Sequence, residues 1–290
     1  VHGDMTMAVV NPATEQVLAR APRASRGQLD TAVAAAKAAF PAWAARPIND
    51  RRALILRIAD QLEARAEEFA RLLTQEQGKP LPEAQAEIAC TCAFIRHLAG
   101  YDLPVKVIED NDNRLVRQFR KPLGVVGAII PWNFPILMAV WKLAPALAAG
   151  NAVLVKPAPG CVAPMDALLG LLGEAGLPDG LCHLLDASVE AGREAIAAGV
   201  DKVVLTGSVA TGQRVYAAAA EGMRHVTMEL GGKSPLIVFD NASLEDAVGA
   251  AILANFYSSG QVCSNGTRVF VQQGILPAFL ERLSARLEAV

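Results

Sequence analysis

Apolar residues in the first hundred positions recur at close to 3.6-residue intervals. Leu54, Ile58, Leu62, Phe69 and Leu72 share one face with charges opposite, which predicts a helix over residues 49–77 that Gly78 and Pro80 stop. Ahead of it Asn11-Pro12 opens a turn, and Ser25 and Gln28 have the spacing of a capping box before the alanine-rich run 29–40, a further predicted helix. A third helix covers 83–99. These helices read as a scaffold packed on a sheet, without a catalytic constellation. Over 105–120 the period shortens to two. Alternating runs flank Asp110-Asn111-Asp112-Asn113, a cluster of turn formers, and predict a β-hairpin whose faces are both partly polar and so unsuited to a central position. Beyond Pro122, apolar runs at 123–130, 152–155, 182–185, 202–206, 226–229 and 236–239 alternate with helical stretches, among them the apolar helix 136–147. Strands that are almost continuously apolar and separated by helices belong in a parallel sheet covered on both faces. The predicted fold class is α/β with a Rossmann-like parallel sheet. A first domain spans 1–227 and includes the hairpin at 104–121; residues 228–290 begin a second.

Composition narrows the partners. With 290 residues, 52% hydrophobic and 19% charged, the chain can bury a real core in one large or two modest domains. Its 27 basic and 29 acidic side chains leave a net charge of −2, which gives no electrostatic basis for binding nucleic acid or an anionic membrane and points to a small molecule. No apolar run reaches the ~20 residues that span a bilayer, and residues 1–7 lack the regions of a signal peptide, so a cytoplasmic location is expected. Five cysteines without regular spacing fit a reducing compartment better than a disulfide framework. Cys90 and Cys92 make no CxxC and no histidine pair has zinc-ligand spacing, so no metal is expected.

Candidate chemistry gathers at the strand ends, where doubly wound sheets bind ligands. Pro131-Trp132-Asn133-Phe134-Pro135 follows the run 123–130, and its two prolines fix a turn presenting Asn133. The Asn133 amide can donate to a developing oxyanion, or bond its own backbone as turn asparagines commonly do. Lys156 follows 152–155 and is either a solvated cation or a ligand for ribose hydroxyls or a 2′-phosphate. Thr206-Gly207-Ser208-Val209-Ala210-Thr211-Gly212 sets glycines before a helix whose free N–H groups suit a pyrophosphate, although Gly-Ser before a helix is also an ordinary cap. Glu229 closes 226–229 ahead of Gly231-Gly232, as a base or as a turn-capping carboxylate. Finally, Tyr257-Ser258-Ser259-Gly260-Gln261-Val262-Cys263-Ser264-Asn265-Gly266-Thr267-Arg268 brackets one cysteine with glycines. A thiol exposed in such a loop is placed for nucleophilic chemistry, whereas most free cysteines are small core residues.

The segments around Asn133, around Met228-Glu229-Leu230-Gly231-Gly232-Lys233 and around Cys263, in this order and at these separations, resemble the aldehyde dehydrogenase superfamily. Residues 258–271 resemble its betaine aldehyde dehydrogenase branch, and the likeness runs from about Asn11 to the end of the chain. It implies oxidation of an aldehyde to an acid with NAD, or with NADP. The Cys263 thiolate would attack the aldehyde carbon, Asn133 and the Cys263 backbone N–H would hold the oxyanion, and hydride transfer to the nicotinamide would leave a thioester. Glu229 would then activate water, and a carboxylate desolvated in a tunnel has its pKa raised toward the range that task needs. The resemblance further implies cofactor contacts from Ile130, Pro131, Trp132, Lys156, Gly207, Ser208, Gly212, Leu230 and Gly231, with Lys156 on the ribose. It makes the hairpin an arm reaching a neighbouring subunit of a homo-oligomer, a dimer or tetramer in the full-length form. For a quaternary ammonium substrate it implies an aromatic mouth of Phe134, Trp141 and Tyr257, although Trp141 lies on an apolar helix where an aromatic also serves as core.

Two positions depart from the family pattern. Pro159 stands where a glutamate commonly holds both ribose hydroxyls, which removes the main repulsion against a 2′-phosphate and leaves the choice between NAD and NADP open. Asp186-Ala187-Ser188 stands where a glycine-rich turn lies near the adenine, so an altered adenine pocket is expected. Family members continue well past the position of Val290, so the chain is expected to be a fragment or truncated product with a cofactor half and an incomplete catalytic half. Two other classes stay open. One is a cofactor-free thiol hydrolase or acyl transferase using Cys263, for which none of His2, His97, His183 and His225 is a convincing partner. The other is a catalytically idle nucleotide-binding or structural protein.

Overall fold

The computed structural model describes residues 6–289. It begins with a hairpin, β1 (Thr6–Val10) against β2 (Val17–Pro22), closed by a turn in which Asn11 Oδ1 accepts the Ala13 N–H at 2.9 Å. Only Val9 and Ala21 of these strands are buried, so sequence alternation has almost no face to mark beyond the Asn11-Pro12 turn. Helix α1 (Arg26–Ala45) opens with the expected capping box, Gln28 N–H donating to Ser25 Oγ and Ser25 N–H to Gln28 Oε1.

The single helix expected over 49–77 is two, α2 (Ile48–Ala64) and α3 (Ala66–Gln77), broken at Arg65 with φ −109° and ψ 19°. The Arg65 guanidinium is held by Glu68 at 2.8 and 2.9 Å and lies over the Phe69 ring. The break shifts the helical phase, so Leu73 rather than Leu72 is buried beside Phe69 and Ala70. Gly78 ends α3 at φ 83°, where a Cβ would meet Pro12 Cγ at 2.9 Å. Helix α4 (Leu81–Ala99) follows, then the predicted hairpin of β3 (Lys106–Asn111) and β4 (Arg114–Gln118), exposed at every position except the half-buried Glu109.

The predicted parallel sheet follows as β5 (Val125–Ile129), α5 (Pro135–Ala148), β6 (Ala152–Lys156), α6 (Ala163–Glu174), β7 (Cys182–Leu184), α7 (Val189–Ala197), β8 (Lys202–Gly207), α8 (Val209–Ala220) and β9 (His225–Leu230). Strand order is β7-β6-β5-β8-β9, with parallel register across β7, β6, β5 and β8. Val125, Val126, Ala128 and all of β6 are buried, as the unbroken apolar runs require of a sheet covered on both faces. Connections leave β5 in one direction toward β6 and resume on its other side at β8. That reversal opens a crevice outside the carboxyl ends of β5 and β8, the place where such sheets bind ligands.

Two compact units are present, one ending at Glu229 and the other starting at Leu230. The second holds β10 (Pro235–Val238), α9 (Leu244–Phe256), a 3₁₀ turn over Tyr257–Gly260, β11 (Arg268–Val271) and α10 (Leu276–Leu287). Strands β10 and β11 pair in parallel, and Val238, Val248, Ala251 and Phe279 form the core beneath them. Among the described residues no helix is long and apolar enough to cross a membrane.

Candidate active site

At the end of β5 the Ile130 N–H still donates to the Lys156 carbonyl at 3.0 Å, so the chain leaves the sheet only at the buried Pro131. Pro135 starts α5, and between the two prolines lie the exposed Trp132 and the half-buried Asn133 and Phe134. The Phe134 ring carries the Lys79 ammonium 3.6 Å from its centroid. Trp141, on α5, is exposed and its ring lies 5.2 Å from that of Phe94.

Lys156 ends β6 and is 7% exposed. Among the described residues no hydrogen-bond acceptor reaches its ammonium, and burial lowers its pKa to about 8 against the opposing pull of Asp186 and Glu190. Gly207 closes β8, and Ser208 is the N-cap of α8, its Oγ accepting the Thr211 N–H at 3.2 Å; Gly212 is buried in the first turns of that helix. Asp186-Ala187-Ser188 builds a capping turn. Asp186 accepts the Ser188 N–H at 2.6 Å and the Ala24 N–H at 2.8 Å, and Ser188 Oγ accepts from Ala191 N at the start of α7.

Glu229 stands one residue from the end of β9 and is exposed, so residues 6–289 do not supply the desolvation expected of it. The charge nearest in consequence comes from Lys142, which the sequence reading missed. It is the sole charged side chain in α5, is buried, donates to Thr206 Oγ1 at 2.7 Å and to the Met138 carbonyl at 3.3 Å, and feels the field of Glu229. Burial lowers its pKa to about 8, and Glu229 acts the other way. A lone lysine in an otherwise apolar helix is the signal that could have found it.

In the second unit, Ser258, Ser259 and Gly260 take positive φ in succession, at 53°, 54° and 75°. A Cβ on Gly260 would lie 3.0 Å from the Asn255 carbonyl, so glycine is required there for space as well as for φ. The turn is tied by Asn265, buried, whose Nδ2 donates to the Gly260 carbonyl at 3.0 Å, and by Asn255, whose Nδ2 donates to the carbonyls of Ala251 and Gly266. Cys263 stands exposed within this clasp, and Tyr257 is half-buried at its start. Leu230 and the exposed Gly231 lead to Gly232, where a Cβ would lie 3.6 Å from the Cys263 carbonyl; the stretch after Glu229 thus runs beside the cysteine loop.

A profile of the aldehyde dehydrogenase family matches residues 1–290. The chain belongs to that family. Among its aldehyde dehydrogenase relatives, the betaine aldehyde dehydrogenase of Cereibacter sphaeroides (strain ATCC 17029 / ATH 2.4.9) is 49% identical over 97% of this chain and 59% of its own length. The solved structure of an Escherichia coli NADP dependent enzyme superposes with a TM-score of 0.96 at 33% identity, covering 99% of this chain and 61% of that one. PnpE, from Pseudomonas sp. WBC-3, solved in complex with nicotinamide adenine dinucleotide, is similar with a TM-score of 0.95 at 36% identity, over 98% and 60% of the two chains. The chain therefore spans about three fifths of the length of the family members it matches.

Proposed function

We propose that the chain carries the cofactor and nucleophile machinery of an NAD(P)-dependent aldehyde dehydrogenase acting through a Cys263 thioester. One observation carries this reading. The Asn133 turn, Lys156, the Gly207-Ser208 cap and Glu229 follow or close β5, β6, β8 and β9, four neighbouring strands of one sheet, and so share its carboxyl edge across the crevice between β5 and β8. The residues suit a dinucleotide. Lys156 is a buried lysine whose ammonium meets no acceptor among the described residues, as suits a ribose ligand, and the start of α8 offers N–H groups to a pyrophosphate. Ile130, Pro131, Trp132, Gly212, Leu230 and Gly231 complete the proposed contacts. Bound there, the cofactor supplies a hydride acceptor.

The protein's own residues do the rest. The Cys263 thiolate adds to the aldehyde carbon, and the Asn133 amide and the Cys263 N–H hold the oxyanion in the resulting adduct. After hydride loss the acyl group remains on sulfur. Glu229 takes a proton from the attacking water, the C–S bond breaks, and the acid leaves as the thiolate is restored. Lys142 places a buried side chain whose charge Glu229 favours at the same edge of the sheet. Similarity to a betaine aldehyde dehydrogenase favours a quaternary ammonium aldehyde, and Phe134, Trp141 and Tyr257 are the aromatic candidates for its mouth. The exposed hairpin β3–β4 suits the arm of a homo-oligomer.

Glu229→Gln in the full-length enzyme tests the order of steps. A pre-steady-state burst of reduced cofactor close to one per site should persist while steady turnover falls by about 10²-fold. Loss of the burst together with turnover would place Glu229 before hydride transfer and overturn its assignment.

A further inference from the structure

Helix α4 and the loop before it, where the sequence offers no catalytic constellation, hold an ion pair withdrawn from water. Lys79 and Glu87 have no side-chain exposure and are bonded to each other. Desolvating two charges is costly, and apolar residues of the same volume generally serve stability as well, so stability alone does not account for the pair. Both partners reach the Asn133 turn. The Lys79 ammonium sits over the Phe134 ring, and Glu87 Oε1 accepts the Leu137 N–H at 3.1 Å while the Ile136 N–H bonds the same carboxylate. On the other flank, Cys161 Sγ donates to the Trp132 carbonyl at 3.4 Å. The segment bearing Cys161 is itself fixed by Glu76, whose Oε1 accepts the N–H groups of Val162 and Ala163 at 2.9 and 3.0 Å. Residues on both sides of Asn133 are thus fastened by buried polar groups.

We propose that Lys79, Glu87 and Cys161 are positioning residues that pre-set the Asn133 amide for the oxyanion. The inference rests on reading Asn133 as an oxyanion donor. Such a donor is effective because its orientation is settled before charge develops, and a displacement of ~1 Å can cost about 10²-fold in rate.

The test is a double-mutant cycle in the full-length enzyme, reading kcat and KM separately. Asn133→Ala alone should lower kcat by about 10²–10³-fold. Lys79→Met combined with Glu87→Gln removes both charges together and should lower kcat about tenfold with KM within about twofold. In the Asn133→Ala background the same pair should change kcat by less than about twofold, because there is no amide left to misplace. Equal losses in both backgrounds, or no loss in the first, overturn the proposal. A neutral Asn133→Ala instead overturns the oxyanion reading itself, and the proposal falls with it. If the paired variant does not fold, Cys161→Ala, which removes only the thiol on the Trp132 carbonyl, supplies the same contrast with an expected loss of about threefold.

Discussion

At the scale of residues, burial separates the five thiols. It pushes Cys92 up to about 11 and Cys161 and Cys182 up to about 12, which leaves little thiolate on any of them near neutral pH. Cys90 and Cys263 are exposed, the former on helix α4 and the latter within the glycine-bracketed clasp. Limited alkylation at pH 7.5 followed by mass-spectrometric mapping should label Cys263 first and Cys161 only after denaturation. Earlier labelling of Cys161 or Cys182 would remove Cys263 as the nucleophile. Candidates such as Cys263, Glu229 and Asn133 are legible in the sequence because glycines and prolines mark the backbone around them. Lys79 is not. A lysine between two helices is solvated unless distant segments close over it, and local pattern carries no record of that closure.

At the scale of elements, the junction of α3 with α6 depends on one carboxyl group. Glu76 is 5% exposed, and desolvation raises its pKa from 4.5 to about 7 against the two backbone N–H donors at the start of α6. Between those values the folded chain keeps a proton that the unfolded chain has released. Glu76 therefore costs stability as pH rises through 5 to 7, and its penalty is complete above that range. Glu76→Gln retains an acceptor for Val162 and Ala163, and should add up to about 3 kcal/mol at pH 8 and almost nothing at pH 4. Denaturant unfolding at the two pH values checks this; equal effects at both would show that charge is not what distinguishes the variants. Elements were readable where one face or both faces are continuously buried, as in β5 and β6. They were unreadable where little is buried, as in the β1–β2 hairpin, and where a helix breaks without glycine or proline, as at Arg65.

At the scale of the whole molecule, the first unit holds most of the proposed cofactor contacts. Residues 1–290 should accordingly be stabilised by NAD or NADP, by about 1.4 kcal/mol at ten times Kd, and thermal unfolding with each cofactor would also decide the preference left open by Pro159. Lys156→Met should abolish the shift; a shift that survives it would move the ribose ligand elsewhere. The strand order has a further consequence, in the order of synthesis. Val126 pairs with Val153 on one side but with Lys202 on the other, 76 positions further along the chain. At the ~5–20 residues per second of translation, about 4–15 s pass between the emergence of Val126 and that of Lys202. Throughout that interval the apolar β5 offers an open edge to any strand in reach, the kind of nascent surface that holding chaperones cover. The cofactor cannot shorten the wait, because one wall of its proposed crevice does not exist until β8 has been made and docked.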